Sequence, residues 1–268
     1  MARGTFSNHL HRNKRNNTIF AKRREELRGL IQKVYDDSNQ LYGANKIRAI
    51  LSDRGYVVSD RMVAELMHDM GLSSIRNNSK NAHKRKTELE RRENVLQQKF
   101  RADRPDQIWV SDVTCFKFKE KYYYICVIID LYSRKAISYK ISLKNSTQLI
   151  TTTFRQAYRC RMPKGKLLFH NDQGAQYTAP SFQKLLSALY IEQSFSNTGR
   201  PHDNAVAESF FSTMKQEELY RGRYHSEADL KISLDRFIEN YNTKRPHAAL
   251  RYKTPERAEE LYFADHPH

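Results

Sequence analysis

The chain has 268 residues, with 47 Lys and Arg against 30 Asp and Glu, and a formal charge of +17 at neutral pH. That length admits two domains, one of them with a sizeable core, and no stretch approaches the ~20 apolar residues of a membrane span, so a soluble chain with no membrane partner is expected. The positive excess runs along the whole sequence and favours a polyanionic partner, nucleic acid first.

The first 104 residues hold 23 basic and 12 acidic residues, against 24 and 18 in the rest, so the front is expected to grip backbone phosphates. Cys115, Cys126 and Cys160 are odd in number and lack C-x-x-C spacing. That argues against a disulfide framework and a zinc site and for a reducing, cytoplasmic setting. Residues 1–18 have no apolar signal core and are expected as a disordered basic arm, with His9 and His11 solvated.

From Phe20 to Tyr35, the residues Phe20, Leu27, Leu30, Ile31 and Val34 recur at helical spacing. Ile47, Ile50 and Leu51 mark a second helix, Arg54-Gly55 a break, Ser59 an N-cap, and Val63, Leu66, Met67 and Met70 a third helix. Residues 19–74 therefore predict an all-α helix-turn-helix domain, with Arg61 near the start of the last helix as the groove-facing candidate. Any small helical bundle gives the same periodicity. Residues 75–104 are highly charged with little apolar periodicity and predict a basic linker, in which Lys84, Arg85 and Lys86 add phosphate contacts.

After Pro105 the character changes. IWVSDVTCFKF, YYYICVIIDLYS and AISYKISLK are β-branched and aromatic runs joined by short turns at 119–121 and 134–135. Then come a helix, the short strand KLLFHN, a helix, the strand IEQSFS and a helix. The order predicts a mixed five-stranded sheet flanked by helices over residues 105–222, with a C-terminal helical tail over 223–268.

Asp112 sits mid-strand among apolar neighbours, where an unpaired carboxylate is costly. Asp172 lies just past the carboxyl end of KLLFH, with Gly174 allowing a tight exit. If the fourth strand lies beside the first, these two acids converge, and the helix starting near Ala205 closes the third side with Glu208. Lys215, seven positions on, projects from the same face of that helix. Three hard oxygen donors around one space favour Mg²⁺ or Mn²⁺ over zinc, and two such ions clamp an in-line phosphoryl transfer. Alone, the Glu208 and Lys215 pair reads first as a surface ion pair.

Three patterns carry a resemblance: W-x-x-D-x-T at Trp109–Thr114, H-x-D-x-G-x-Q-Y at His170–Tyr177 and D-N-A-x-x-E-S-F-F at Asp203–Phe211. They resemble the second-frame (OrfB) transposases of the insertion-sequence-three family, with retroviral integrases as more distant relatives. The 35 residues between Asp172 and Glu208, and the basic Lys215 beyond, match the family's D-D-E spacing. YNTKRPHAALRYKTP at 241–255 is similar to its closing motif, and YGANKIRAIL with HDMGL to its N-terminal helix-turn-helix. Asn171 and Gln173 stand where the family usually has Ser and Arg.

The resemblance implies a ribonuclease H-like integrase catalytic core in which Asp112, Asp172 and Glu208 are catalytic and bind two Mg²⁺ ions, with Mn²⁺ as substitute. It implies DNA integration and recombination: binding of double-stranded DNA at the element's terminal inverted repeats, strand cleavage, and transfer of the 3′-hydroxyl to target DNA. Lys215, Arg200, His202 and Asn204 are then expected beside the DNA. A homo-oligomer on DNA and an upstream-frame OrfA protein or fusion are the expected partners. A plain metal-dependent nuclease and a catalytically silent DNA-binding regulator remain the competing readings. Other residues carry structural expectations: Asp130 a turn with Ser133 and Arg134, Asp203 an N-cap, His170 a hydrogen-bonded support, Tyr122 to Tyr124 sheet packing, and Tyr241, Arg245 and His247 scaffolding before DNA contact.

Overall fold

Helix α1 (Arg3–Asp37) opens the chain and so includes most of the segment expected as a disordered arm. No proline occurs before Pro105 and Gly4 and Gly29 are the only glycines in this helix, so nothing covalent stops it at residue 19. The computed structural model describes residues 3–74, 102–196 and 204–267, in two compact units, Met1–Asn78 and Ser79–His268.

In the first unit, α2 (Ala44–Asp53) and α3 (Asp60–Asp69) pack with α1 around Leu27, Ile31, Val34, Ile47, Leu51, Val63, Leu66 and Met67. Gly55 takes a φ of 87°, the left-handed step that turns the chain from α2 toward α3. Ser59 accepts a hydrogen bond from the Met62 amide at 3.2 Å, the N-cap the sequence predicts. Arg24–Asp69 at 2.9 Å and Arg48–Asp60 at 2.8 Å tie the helices at the surface, where such pairs contribute little.

The second unit is built on strands β1 (Ile108–Phe118), β2 (Lys121–Asp130), β3 (Ala136–Ser142), β4 (Leu168–Asn171) and β5 (Glu192–Phe195), in the order β3-β2-β1-β4-β5. The first three are antiparallel, and β4 and β5 add in parallel. Lys119 and Glu120 both have positive φ, 44° and 62°, which matches the twist of the tight β1–β2 hairpin.

Helices cover both faces. Helices α4 (Thr147–Arg161) and α5 (Pro180–Ala188) bury Ile150, Phe154, Phe182 and Leu186 against Trp109, Ile128 and Phe169. Trp109 is fully buried edge-on to Phe154, and its indole nitrogen donates to Asp106 Oδ1 at 3.0 Å. On the other face, α6 (Ala205–Met214) and α7 (Glu227–Thr243) bury Phe210, Phe211, Met214, Leu230, Leu234 and Phe237 against Val110, Ile125, Val127 and Ile129. Helix α7, in the stretch expected as a tail, is thus part of the sheet's own core. Helix α8 (Pro255–Asp265) joins through Glu259, which accepts from Arg161, Lys135 and Ser133 in a buried network that also reaches Asp106 and Asp130.

Candidate active site

Strands β1 and β4 pair in parallel, ending at the rung Ser111↔Asn171. Asp112 and Asp172 are the next residues, so the two acids leave the last rung together at the carboxyl edge of β4. This is the adjacency the right-handed crossover predicts. Asp112 faces Val127 across the β1–β2 ladder, on the side of the sheet that α6 covers.

The Asp112 carboxyl is half-buried and accepts from the Val113 amide at 2.7 Å. Burial, then the charge of Asp172, push its pKa up to about 7; Glu208 adds to the rise, while the Val113 amide and Lys215 oppose it. The group therefore feels both other acids and the lysine.

Asp172 is fixed by an N–H from Gly174 to its Oδ1 at 3.0 Å. A Cβ on Gly174 would lie 2.9 Å from that oxygen and 3.2 Å from Gln176 Oε1, so glycine leaves the carboxylate its room. Beneath the pair, Ser111 Oγ donates to the Val127 carbonyl at 2.9 Å and lies 2.8 Å from the Tyr177 hydroxyl. His170 is buried between Ser194 Oγ at 2.9 Å and Ser196 Oγ at 3.1 Å, the structural role expected of it. Asn171 accepts from Gln193, and Gln173 donates to the Ser196 carbonyl at 3.2 Å, so both side chains brace β5 and its exit.

Glu208 lies in the first turn of α6 with an exposed side chain, above Phe210 and Phe211, which anchor the helix. Lys215 is half-buried and begins a π-helical turn, Lys215–Leu219, a distortion often found at functional sites. No ion pair joins Glu208 to Lys215 among the described residues. Among those residues, too, no three His, Cys, Asp or Glu side chains are gathered closely enough to hold one metal ion. The three acids share an electrostatic neighbourhood without forming a closed ligand set.

Of the other expected contacts, Asn204 is 8% exposed at the start of α6, with its Oδ1 buried and without a hydrogen-bond partner. Arg61 is 89% exposed on the side chain and paired with Glu65 at 2.9 Å. Arg200, His202, Lys84, Arg85, Lys86 and Asp203 lie outside the described residues. Asp130 accepts from the Ser133 amide and hydroxyl and the Asp106 amide, a turn and not a fourth ligand. Two supports escape sequence reading. Tyr177 was visible in its motif but its contact with Ser111 was not, and Glu217 forms a buried bidentate pair with Arg245 at 2.9 Å on both arms. No helix among the described residues is long and apolar enough to cross a membrane.

Comparison with known proteins agrees with this architecture. A family model described as an integrase core domain matches residues 102–201, a second so described matches 189–255, and an HTH-like domain matches 22–80. The transposase for insertion sequence element IS904 of Lactococcus lactis subsp. lactis (strain IL1403) is 35% identical over 239 residues, covering 88% of this chain and 94% of that protein. The putative transposase InsK for insertion sequence element IS150 of Escherichia coli (strain K12) is 31% identical over 225 residues, covering 84% and 80%. A chain of the simian T-cell lymphotropic virus intasome, solved in complex with PP2A regulatory subunit B56 gamma, shares the fold at a TM-score of 0.51 and 17% identity, covering 81% of this chain and 74% of that one. With an HTH-like domain ahead of an integrase core, and such identity along nearly its whole length, the chain belongs to the IS3 family of insertion-sequence transposases.

Proposed function

We propose that the chain is a D-D-E polynucleotidyl transferase in which Asp112, Asp172 and Glu208 hold two Mg²⁺ ions, replaceable by Mn²⁺, at the scissile phosphate of its element's terminal inverted repeats. What supports this reading most is the state of Asp112, whose carboxyl is driven to about 7 by burial and by two further acids. A divalent cation relieves that repulsion. The donors suit it: they are hard oxygens, and Gly174 keeps the approach to Asp172 open. When bound, the ions would polarise the phosphodiester and stabilise the attacking and leaving oxygens of an in-line displacement.

The protein's own groups then do the following. Asp112 and Asp172 leave the last β1–β4 rung together on one sheet edge, and Glu208 approaches from α6 over the anchored Phe210 and Phe211. Lys215 supplies positive charge beside the acids for a backbone phosphate. Water attacks phosphorus at the element end, the P–O3′ bond breaks, and the element keeps a free 3′-hydroxyl. That hydroxyl next attacks a target phosphodiester, forming a new P–O bond and expelling the target's 3′-oxygen. No covalent bond to the protein is needed.

In this scheme residues 19–74 bind the element end, with Arg61 toward the bases. Lys84, Arg85 and Lys86 in the linker (75–104), and Arg200, His202 and Asn204 beside the catalytic core (105–222), contact the DNA, with 223–268 as its C-terminal part. Two ends need at least two active sites, so a homo-oligomer on DNA is proposed, with an upstream-frame protein or fusion as partner and the cytoplasm as its location. The test is strand transfer from a pre-cut 3′ end by the chain and by Asp112→Ala, Asp172→Ala and Glu208→Ala. Each variant is expected to lose cleavage and joining while retaining end binding. Hydrolysis without joining by the parent chain would reduce it to a nuclease, and in vivo effects unchanged in all three variants would leave a silent regulator.

A further inference from the structure

Beyond Asp112, β1 carries an aromatic support that the acidic site does not use. Phe116 and Phe118 follow Asp112 on alternate positions of the strand, and their rings meet the loop after the π-helical turn. Phe116 lies 6.5 Å from Tyr220 and 6.3 Å from Tyr224, and Phe118 lies 6.0 Å from Tyr224. Tyr224 is locked in place, since its hydroxyl donates to Glu218 Oε1 at 2.9 Å and a Cβ on Gly222 would collide with its ring.

Tyr220 closes the turn that Lys215 opens: its amide donates to the Lys215 carbonyl at 2.9 Å. Tyr220 is nevertheless 68% exposed. A rigid aromatic wall stands behind it and solvent in front. The acids nearby already have partners: Glu217 with Arg245, Glu218 with Tyr224 and Ser233, Glu120 with Lys117. Lys121 and Arg223 are exposed and make no ion pair among the described residues. A buttressed ring, with Lys121 opposite Phe118 across the hairpin and Arg223 three residues further along the chain, has the composition of a single-strand stacking surface.

We infer that Tyr220 stacks on an unpaired base of the DNA strand that runs past the acidic residues, with Lys121 and Arg223 on its phosphates. This rests on the proposed function and extends it to how an element end is held. Phe116 is four residues beyond Asp112, about 13 Å along the strand at ~3.3 Å per residue. At ~3.4 Å per nucleotide that is about four nucleotides. An aromatic ring needs an open base face, so the ligand is a frayed end and not intact duplex.

The test uses the full-length Asp112→Asn chain without metal, bound to a duplex of the element's own terminal repeat. 2-Aminopurine is placed at each position near the terminal phosphate in turn. Quenching by stacking is expected to centre about four nucleotides from that phosphate, to persist in Tyr220→Phe, and to vanish in Tyr220→Ala and Tyr220→Leu. Affinity should fall roughly tenfold in the last two. Tyr220→Leu keeps an apolar contact with Phe116, so its loss of quenching separates stacking from folding. The same fluorescence profile and affinity in Tyr220→Ala would overturn the inference alone, as would a change of oligomeric state without DNA. Failure of the parent to bind the repeat would overturn the proposed function as well.

Discussion

Asp112→Asn should stabilise the metal-free protein, and only where the wild-type carboxyl is forced to ionise. The displacement from 3.8 to about 7 corresponds to about 4 kcal/mol at about 1.4 kcal/mol per pH unit. The sign follows from proton binding. Between those two values the unfolded chain has released the proton while the folded chain keeps it, so the wild type loses stability as pH rises through this window and levels off above 7. Asparagine carries no charge and retains an oxygen for the Val113 amide, which Asp112 accepts at 2.7 Å. Asp130, also pushed up to about 6 by burial, is present in both chains and cancels in the difference. The assay is thermal unfolding in EDTA from pH 4 to pH 8.5. The two chains should melt together near pH 4, and the variant should lead by roughly 8–16 °C at pH 8, taking about 2–4 °C per kcal/mol for a unit of this size. Added Mg²⁺ should narrow the gap at pH 8 by stabilising the wild type alone. A gap independent of pH, or a variant less stable at pH 8, would refute the claim that Asp112 is held among competing charges.

Arg245→Ala should destabilise the core by about 3–5 kcal/mol, measured by denaturant unfolding, because it strands Glu217 in the interior. Glu217→Leu with Arg245→Leu should recover most of that loss. Gly174→Ala should cut joining in a strand-transfer assay with little change in melting temperature, since the added methyl pushes on Asp172 Oδ1. Glu208→Asp should also fail in that assay, because one methylene shortens the reach of the exposed α6 carboxylate. Ser59→Ala should cost about 1 kcal/mol through loss of the α3 cap, read by hydrogen exchange in the first unit.

Much of this fold lies in local signals. Ser59 caps α3 as its position before an apolar period predicts, and Asp130 folds into the turn that Ser133 and Arg134 suggest. Alternation within IWVSDVTCFKF puts Val110 and Asp112 on one face, and the short buried run KLLFHN takes its place beside it. Contacts that depend on distant partners were not legible. Leu230, Leu234, Phe237 and Tyr241 have plain helical spacing, yet nothing in that spacing says the helix closes the core under β1 and β2. Glu217 with Arg245 and Glu259 with Arg161 are separated by 28 and 98 positions, and each alone reads as a solvated charge. Helix α1 runs from Arg3 through a stretch whose polar, basic composition reads as an arm while offering no proline to end a helix.

The site shows the same division. The motifs put Asp112 and Asp172 at the ends of two strands, and the β1–β4 register brings these two aspartates side by side. The support under them, Tyr177 on Ser111 and His170 between two serines, exists only in three dimensions.

The central claim is that Asp112, Asp172 and Glu208 bind divalent ions jointly at the scissile phosphate. Manganese titration followed by electron paramagnetic resonance, on the chain bound to its terminal-repeat DNA, tests it most directly. The parent should take up two ions per active site, and Asp172→Asn and Glu208→Gln should each lose tight uptake while still holding the DNA. Equal uptake by the parent and both variants would contradict it.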